Sequence, residues 1–290
     1  MGSARQDYHA RMQRVLDHVD RHLDGDLDLE TLSRVAAFSR FHFHRQFAAT
    51  FGVSLDRYVR LTRLKRASYR LAFRDGARVT DVALEAGYEA PDAFARAFRR
   101  TFGQAPSEFR KSPDWAPWSS AFAPLSRIRI QIMPAFSPDQ VAIVDVPPVP
   151  VALMEHRGDP ATIGETIRRF IAWRKSVGLR PAISATYTIF HDNPETVTPE
   201  DFRMDLCAAT DRPIAPNAAG VEAGLIPAGR CARLDVIGDD LTAAALYLYR
   251  DWLPESGERP RDFPLYCQRI AFFPDVPEHE AVNALFLPLD

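Results

Sequence analysis

Lysine is almost missing from this chain of 290 residues: Lys65, Lys111 and Lys175 stand among 36 basic residues, and the rest are arginine. Arginine offers a planar fork suited to phosphate and guanine, although a GC-rich genome produces the same bias. Cysteine is also scarce. Cys207, Cys231 and Cys267 lie far apart without C-x-x-C spacing, which argues against a disulfide framework or zinc site and reads as buried thiols in a reducing compartment. No apolar run approaches the ~18 residues of a membrane span and the first residues are polar, so neither a membrane segment nor a secretory signal is expected, and the predicted location is the cytoplasm. There is no glycine-rich phosphate loop and no G-x-S-x-G. His42 and His44 would project about 200° apart on a helix, and His18 with His22 finds no further ligand, so no metal or cofactor is predicted.

What is present divides in two. The apolar content of 46% excludes disorder, and the length favours two domains over one core. A net charge of −2 conceals an uneven distribution: up to Trp115 there are 20 Lys/Arg against 15 Asp/Glu, and beyond it 16 against 23. The basic part contains a repeat. Phe43, Phe47, Phe51-Gly52 recurs 51 positions on as Phe94, Phe98, Phe102-Gly103, and Arg45/Arg96 and Tyr58/Phe109 keep that offset. Just upstream, Ala36-Ala37-Phe38 matches Ala86-Gly87-Tyr88 at an offset of 50, so the second copy has one extra turn residue. An indel in a turn between two preserved helices marks a duplicated helix-turn-helix.

Periodicity predicts a helix over 8–23, a short helix capped by Asp28, a turn at Ala37-Phe38 and a helix capped by Ser39. A linking helix follows over 55–73, then a short helix capped by Thr80, a turn at Gly87-Tyr88, and a helix opened by Pro91. Residues 1–111 therefore read as an all-α domain. Residues 112–125 hold three prolines and no periodicity, and read as a linker that Trp115, Trp118 and Phe122 can dock. From 126 to 290 alternation takes over, in 127–132 and in parts of 141–155, 203–208 and 230–236. Helical runs over 162–177 and 240–252 interrupt it, giving β-β-α-β-β twice and an α+β domain of two pseudo-repeats.

With the phenylalanine stripes turned inward, the first repeat helix exposes Phe41, His42, Arg45, Ala48 and Ala49, flanked by Arg40 and His44. The second exposes Asp92, Ala93, Arg96, Arg99 and Arg100. Small residues beside arginine let a helix approach base edges, where arginine pairs with guanine O6 and N7. Phe41 either meets a thymine methyl or packs on a neighbouring element. Arg99 and Arg100 suit phosphate better than a merely solvated face.

These residues resemble the DNA-binding domain of AraC-type transcription regulators over 7–111. The matching motifs are Leu32-Ser33-Arg34-Val35-Ala36, Ser39-x-x-x-Phe43-x-Arg45-x-Phe47, Val82-Ala83-x-x-Ala86-Gly87-Tyr88 and Phe94-x-Arg96-x-Phe98-x-x-x-Phe102-Gly103-x-x-Pro106. The resemblance places readers of double-stranded DNA at Phe41, His44 and Arg45, and at Asp92, Ala95 and Arg96. Two departures stand out: Ala37 replaces a usual turn glycine, and Asp92 puts an acid where amides are common. Asp92 either accepts from a cytosine amino group or supports the helix N-terminus.

Residues 139–290 resemble GyrI-like effector-binding domains through Tyr187-x-x-Phe190-His191-Asp192-Asn193-Pro194, Phe202-Arg203-Met204-Asp205, Ile226-Pro227-Ala228-Gly229, Tyr247-Leu248-Tyr249-x-x-Trp252-Leu253-Pro254 and Leu287-Pro288-Leu289. This implies a cleft for a small hydrophobic effector, with Tyr187, Phe190, Tyr249, Trp252 and Tyr266 as its walls, each of which could equally be ordinary core. Members that take cationic drugs carry a glutamate where this chain has Asn283-Ala284, so the expected ligand is neutral or weakly polar, or pairs with Glu280, Asp205 or Glu165. The resemblance implies a transcription regulator with RNA polymerase as a further partner and no membrane association. Two other readings make the C-terminal domain a small-molecule hydrolase, whose expected glutamate is missing, or a partner-binding module with an acidic face.

Overall fold

The computed structural model describes residues 2–25, 27–74, 76–132, 136–238, 241–272, 275–276 and 280–290, with side chains except those of 2–6, 126 and 129–132. The chain divides into two compact units, Met1–Ala135 and Phe136–Asp290.

The first unit is helical: α1 (Gly2–Arg21), α2 (Leu29–Val35), α3 (Arg40–Phe51), α4 (Leu55–Phe73), α5 (Val79–Glu85), α6 (Pro91–Phe102), α7 (Pro106–Lys111) and α8 (Trp115–Ile132). Asp28 caps α2 by accepting the Thr31 N–H at 2.6 Å, and Ser39 caps α3 through His42. By contrast α6 starts on Pro91, whose missing N–H would be unpaired there in any case. The short helix α5 begins at Val79, one residue ahead of Thr80, with Arg78 at the cap position and no side-chain bond.

The two phenylalanine triplets, Phe43, Phe47, Phe51 and Phe94, Phe98, Phe102, point inward. Phe47 meets Phe51 at 4.7 Å and Tyr58 at 5.8 Å, edge to face, and Phe98 repeats this with Phe102 at 4.5 Å and Phe109 at 5.4 Å. Burying each ring contributes roughly 1.5–3 kcal/mol, so the two ladders dominate the core. Both helix-turn-helix turns need a left-handed residue: Gly87 at φ +78° in the second, and Ala37 at φ +53° in the first.

Residues 112–125 are not an extended linker, and 127–132 are not a strand. From Trp115 onward both lie in α8, because Trp115, Trp118, Phe122, Leu125 and Ile128 recur at helical spacing and dock on the unit. Trp115 stacks on Phe73 at 5.6 Å and Phe122 packs on Phe102 at 5.4 Å. Proline 117 falls in the first turn, where its missing donor costs little, and the prolines hid this stripe from a reading by composition.

The second unit is built from β1 (Val141–Val146), β2 (Val149–Arg157), α9 (Ile163–Ser176), β3 (Thr186–Phe190), β4 (Arg203–Ala209), β5 (Glu222–Ile226), β6 (Gly229–Ile237), α10 (Thr242–Leu246), α11 (Leu253–Ser256), β7 (Leu265–Ala271) and β8 (Val282–Pro288). A π-helical stretch, Tyr247–Trp252, joins α10 to α11. The second helical run was expected from Asp240, which lies outside the described residues. All pairings are antiparallel, in the order β1-β6-β8-β7-β3-β4-β2-β5.

Two pseudo-repeats are visible in this order: β2 and β6 start 80 positions apart and share the same alternation of buried and exposed residues. Each repeat gives its leading strand to the other, since β1 pairs with β6 and β5 with β2. Val146 pairs with Gly229 and Val149 with Ile226, so a single register continues across the breaks at Pro147-Pro148 and Pro227-Ala228. The two segments thus form one antiparallel ribbon, interrupted where three prolines cannot donate. One face of the sheet is covered by helices: α9 over Ala152, Met154, Leu206 and Ala208, and the 242–256 run over Leu234, Leu285 and Leu287.

Candidate functional site

In the first unit the inward phenylalanines fix what faces solvent. Arg40, Phe41, His44 and Arg45 on α3, and Asp92, Arg96, Arg99 and Arg100 on α6, are all exposed, while Ala95 is half-buried. Phe41 does not pack on a neighbouring element. It is 71% exposed, and the Arg40 guanidinium lies 4.9 Å from its ring centre. Arg99 approaches Glu108 at 3.6 Å, an exposed pair of little worth in water that leaves it available to phosphate.

What holds the two repeat units together was not foreseen from sequence. Arg63 of α4 donates to Leu23 O at 2.9 Å and Gly25 O at 2.8 Å, beyond the end of α1, and lies against the second turn, where a Cβ on Gly87 would sit 2.8 Å from its Nη1. Three residues on, Arg66 pairs with Asp24 and donates to Glu85 O at 2.7 Å. Two arginines on one face of α4 therefore tie the end of α1 to the turn of the second helix-turn-helix, both within the first unit. Their spacing of three was the signal, but nothing in the sequence named their acceptors.

In the second unit the sheet separates the five aromatic residues expected to line one cleft. The strand registers put Tyr187 and Tyr266 on the face that carries no helix, with ring centres 6.5 Å apart. Phe190 and Trp252 instead join the core between the sheet and the 242–256 run, and Tyr249 lies 47% exposed on its outer side. Alternation explains Phe190: three positions from Tyr187, it must point to the opposite face.

The helix-free face gathers other residues around the two tyrosines. Tyr266 stacks on Phe286 at 5.0 Å with planes 10° apart, meets Phe263 edge on at 6.1 Å, and its hydroxyl lies 3.6 Å from Cys231 Sγ. Burial raises the pKa of both tyrosines and of the Cys231 thiol, so all three are neutral at physiological pH. At the position of the missing glutamate, Asn283 is buried on the helix side, donating to Gly238 O at 2.8 Å, and Ala284, also buried, carries only a methyl on the helix-free side. Of the other acids, Glu165 and Glu280 are exposed, whereas Asp205 is buried and accepts from, or pairs with, His191 Nε2 at 2.7 Å.

A repeated helix-turn-helix with two exposed recognition helices, followed by a strand-exchanged α+β unit, defines a DNA-binding protein with an appended ligand domain. Residues 139–290 match the GyrI-like small molecule binding domain and residues 32–112 a helix-turn-helix domain. The chain belongs to the GyrI-like family, with an AraC-type DNA-binding domain ahead of it, the composition of a transcription regulator. Its second part is 36% identical over 152 residues to the "probable transcriptional regulator YgiV" of Escherichia coli K12, covering 51% of this chain and 95% of that one. Its first part is 34% identical over 103 residues to the HTH-type transcriptional regulator YbfP of Bacillus subtilis, covering 36% of this chain and 35% of that one. Among solved structures, the DNA-binding domain of AdpA in complex with a target DNA is 31% identical over 34% of this chain and 87% of that one, with a TM-score of 0.32.

Proposed function

We propose that α3 and α6 read two successive major-groove segments of one DNA site, about 34 Å apart, and that a small hydrophobic effector on the helix-free face of the sheet adjusts this binding or contact with RNA polymerase. The observation that carries the DNA half is the pairing of an inward phenylalanine ladder with an outward arginine face on both helices. Arg45 and Arg96, equivalent in the two repeats, pair with guanine; Phe41, His44, Asp92 and Ala95 set the neighbouring bases; Arg40, Arg99 and Arg100 hold phosphate. The effector sits over Tyr187 and Tyr266. Phe190 and Trp252 support the sheet from behind, and Tyr249 lies outside the site. The second unit acts by binding rather than catalysis, and the chain works in the cytoplasm.

The test is a genome-wide map of bound DNA for the wild type beside an Arg45→Ala, Arg96→Ala double variant. Discrete promoter peaks that vanish in the variant are expected. A diffuse signal unchanged by the substitutions overturns base reading by these helices.

A further inference from the structure

Phe41 and Asp92 occupy the same place in the two copies of the repeat. They stand 51 positions apart, the offset that also relates Arg45 to Arg96. Each is the second residue of a 12-residue helix that ends on a left-handed glycine, Gly52 at φ +68° and Gly103 at φ +75°. Each therefore lies about one turn N-terminal to its arginine on the same exposed side. Arg45 and Arg96 make no hydrogen bond or ion pair among the described residues, so both forks are free for guanine. The two helices thus share one reader and differ at the position beside it.

That difference decides what each helix can recognise. Phe41 is an exposed apolar ring outside the core, with the Arg40 guanidinium over it at 4.9 Å. In the major groove the apolar feature of a base edge is the C5-methyl of thymine, and cytosine lacks it. Asp92 carries a carboxylate that makes no hydrogen bond or ion pair among the described residues. The first turn of α6 takes no side-chain cap, so the carboxylate is not spent there. A free carboxylate on a DNA-facing helix is repelled by phosphate on every sequence, and only an amino group on a base edge offsets that. Cytosine offers its N4 amino group. Adenine sets its amino group beside the N7 acceptor, and guanine and thymine present acceptors that repel a carboxylate.

We propose that these two residues make the halves of the DNA site unlike. Beside the guanine read by Arg45 stands a thymine, recognised by Phe41 through its methyl. Beside the guanine read by Arg96 stands a cytosine, recognised by Asp92 through its amino group. This rests on the reading of α3 and α6 as the base-contacting helices. The differing neighbours fix which helix enters which half, and so the direction in which a single chain lies on the duplex.

The test is selection of duplexes from a randomised library by the full chain, followed by titration of the selected duplex against wild type, Phe41→Asp and Asp92→Asn. Expected from wild type are two guanine-containing segments about one helical turn apart, with thymine beside one guanine and cytosine beside the other. Deoxyuridine in place of that thymine removes only the methyl. It should weaken wild type about three- to fivefold, the worth of one buried methyl, and leave Phe41→Asp unchanged. Phe41→Asp should exchange the thymine for cytosine, so that the two halves become alike, and Asp92→Asn should exchange the cytosine for adenine, each by about fivefold or more. The uridine substitution needs no variant and carries the comparison if either variant fails to fold. The same base selected beside both guanines by wild type, a uridine duplex bound as tightly as the thymine one, or preferences unmoved in both variants overturn the proposal and leave base reading by Arg45 and Arg96 standing. A selection that returns no guanine-containing segment overturns both.

Discussion

Trp118 donates its indole N–H to the Ser68 hydroxyl across 2.6 Å, and Ser68 in turn donates its O–H to Lys65 O at 2.7 Å. The bond joins α8 to the middle of α4 and saturates a buried hydroxyl that would otherwise lack a donor. Trp118→Phe should lower the stability of the first unit by about 1 kcal/mol, the usual worth of one such bond. Trp115→Ala, which opens a cavity beside Phe73 and Phe109, should cost about 3–5 kcal/mol. Urea unfolding of the full chain, followed in the first unit, checks both; no change in Trp115→Ala would mean that α8 does not belong to that core.

The two turns predict substitutions of opposite sign. Ala37 holds a left-handed conformation that disfavours any Cβ, so Ala37→Gly should raise stability by up to ~1 kcal/mol. Gly87→Ala should lower it by more than ~1 kcal/mol, since the new methyl would also displace Arg63 from its carbonyls. DNA affinity measured on Gly87→Ala at a temperature where it remains folded should fall as well, because the two recognition helices lose their fixed spacing.

His191 gives the second unit a defined pH response. The hydrogen bond it donates to the Asp205 carboxylate raises its pKa above 6.5, so its contribution is complete below about pH 6.5 and is lost as pH rises through the raised value. His191→Asn should therefore fall furthest below wild type in melting temperature near about pH 6, and the gap should narrow toward about pH 9. His156 works in the other sense. Burial lowers its pKa, so protonating it as pH falls below about 6.5 weakens the fold, and His156 remains in both proteins of the comparison.

All three cysteines are buried, and burial drives the Cys207 and Cys231 thiols upward in pKa. Native protein should give no reaction with a disulfide reagent at neutral pH, and three thiols after denaturation. A fast-reacting thiol in the native state would show that the helix-free face opens in solution.

Sequence and structure agree most closely where one residue type recurs at one spacing. The phenylalanine triplets at i, i+4, i+8 are legible because only a helix puts them on one side, and the recognition faces follow from them by subtraction. Legibility failed where two signals competed: three prolines masked the stripe Trp115, Trp118, Phe122, and Ile128 to Ile132 alternated at the end of a helix. The helix-free face was legible in part. Tyr187 and Tyr266 could be picked as aromatics, but which side of a strand each faced depended on a register set by partners far along the chain.

The continuous register of the β1-β2 and β5-β6 ribbon also governs how the second unit can be divided. A chain break between 210 and 221 would separate two fragments, each retaining the strand that completes the other's sheet. Neither fragment could close its own edge, so each would seek a partner, whether its complement or a second copy of itself. The domain is in this sense a dimer written into one polypeptide, and its two halves can specialise, one holding Val149 and the other Gly229, without ever risking separation.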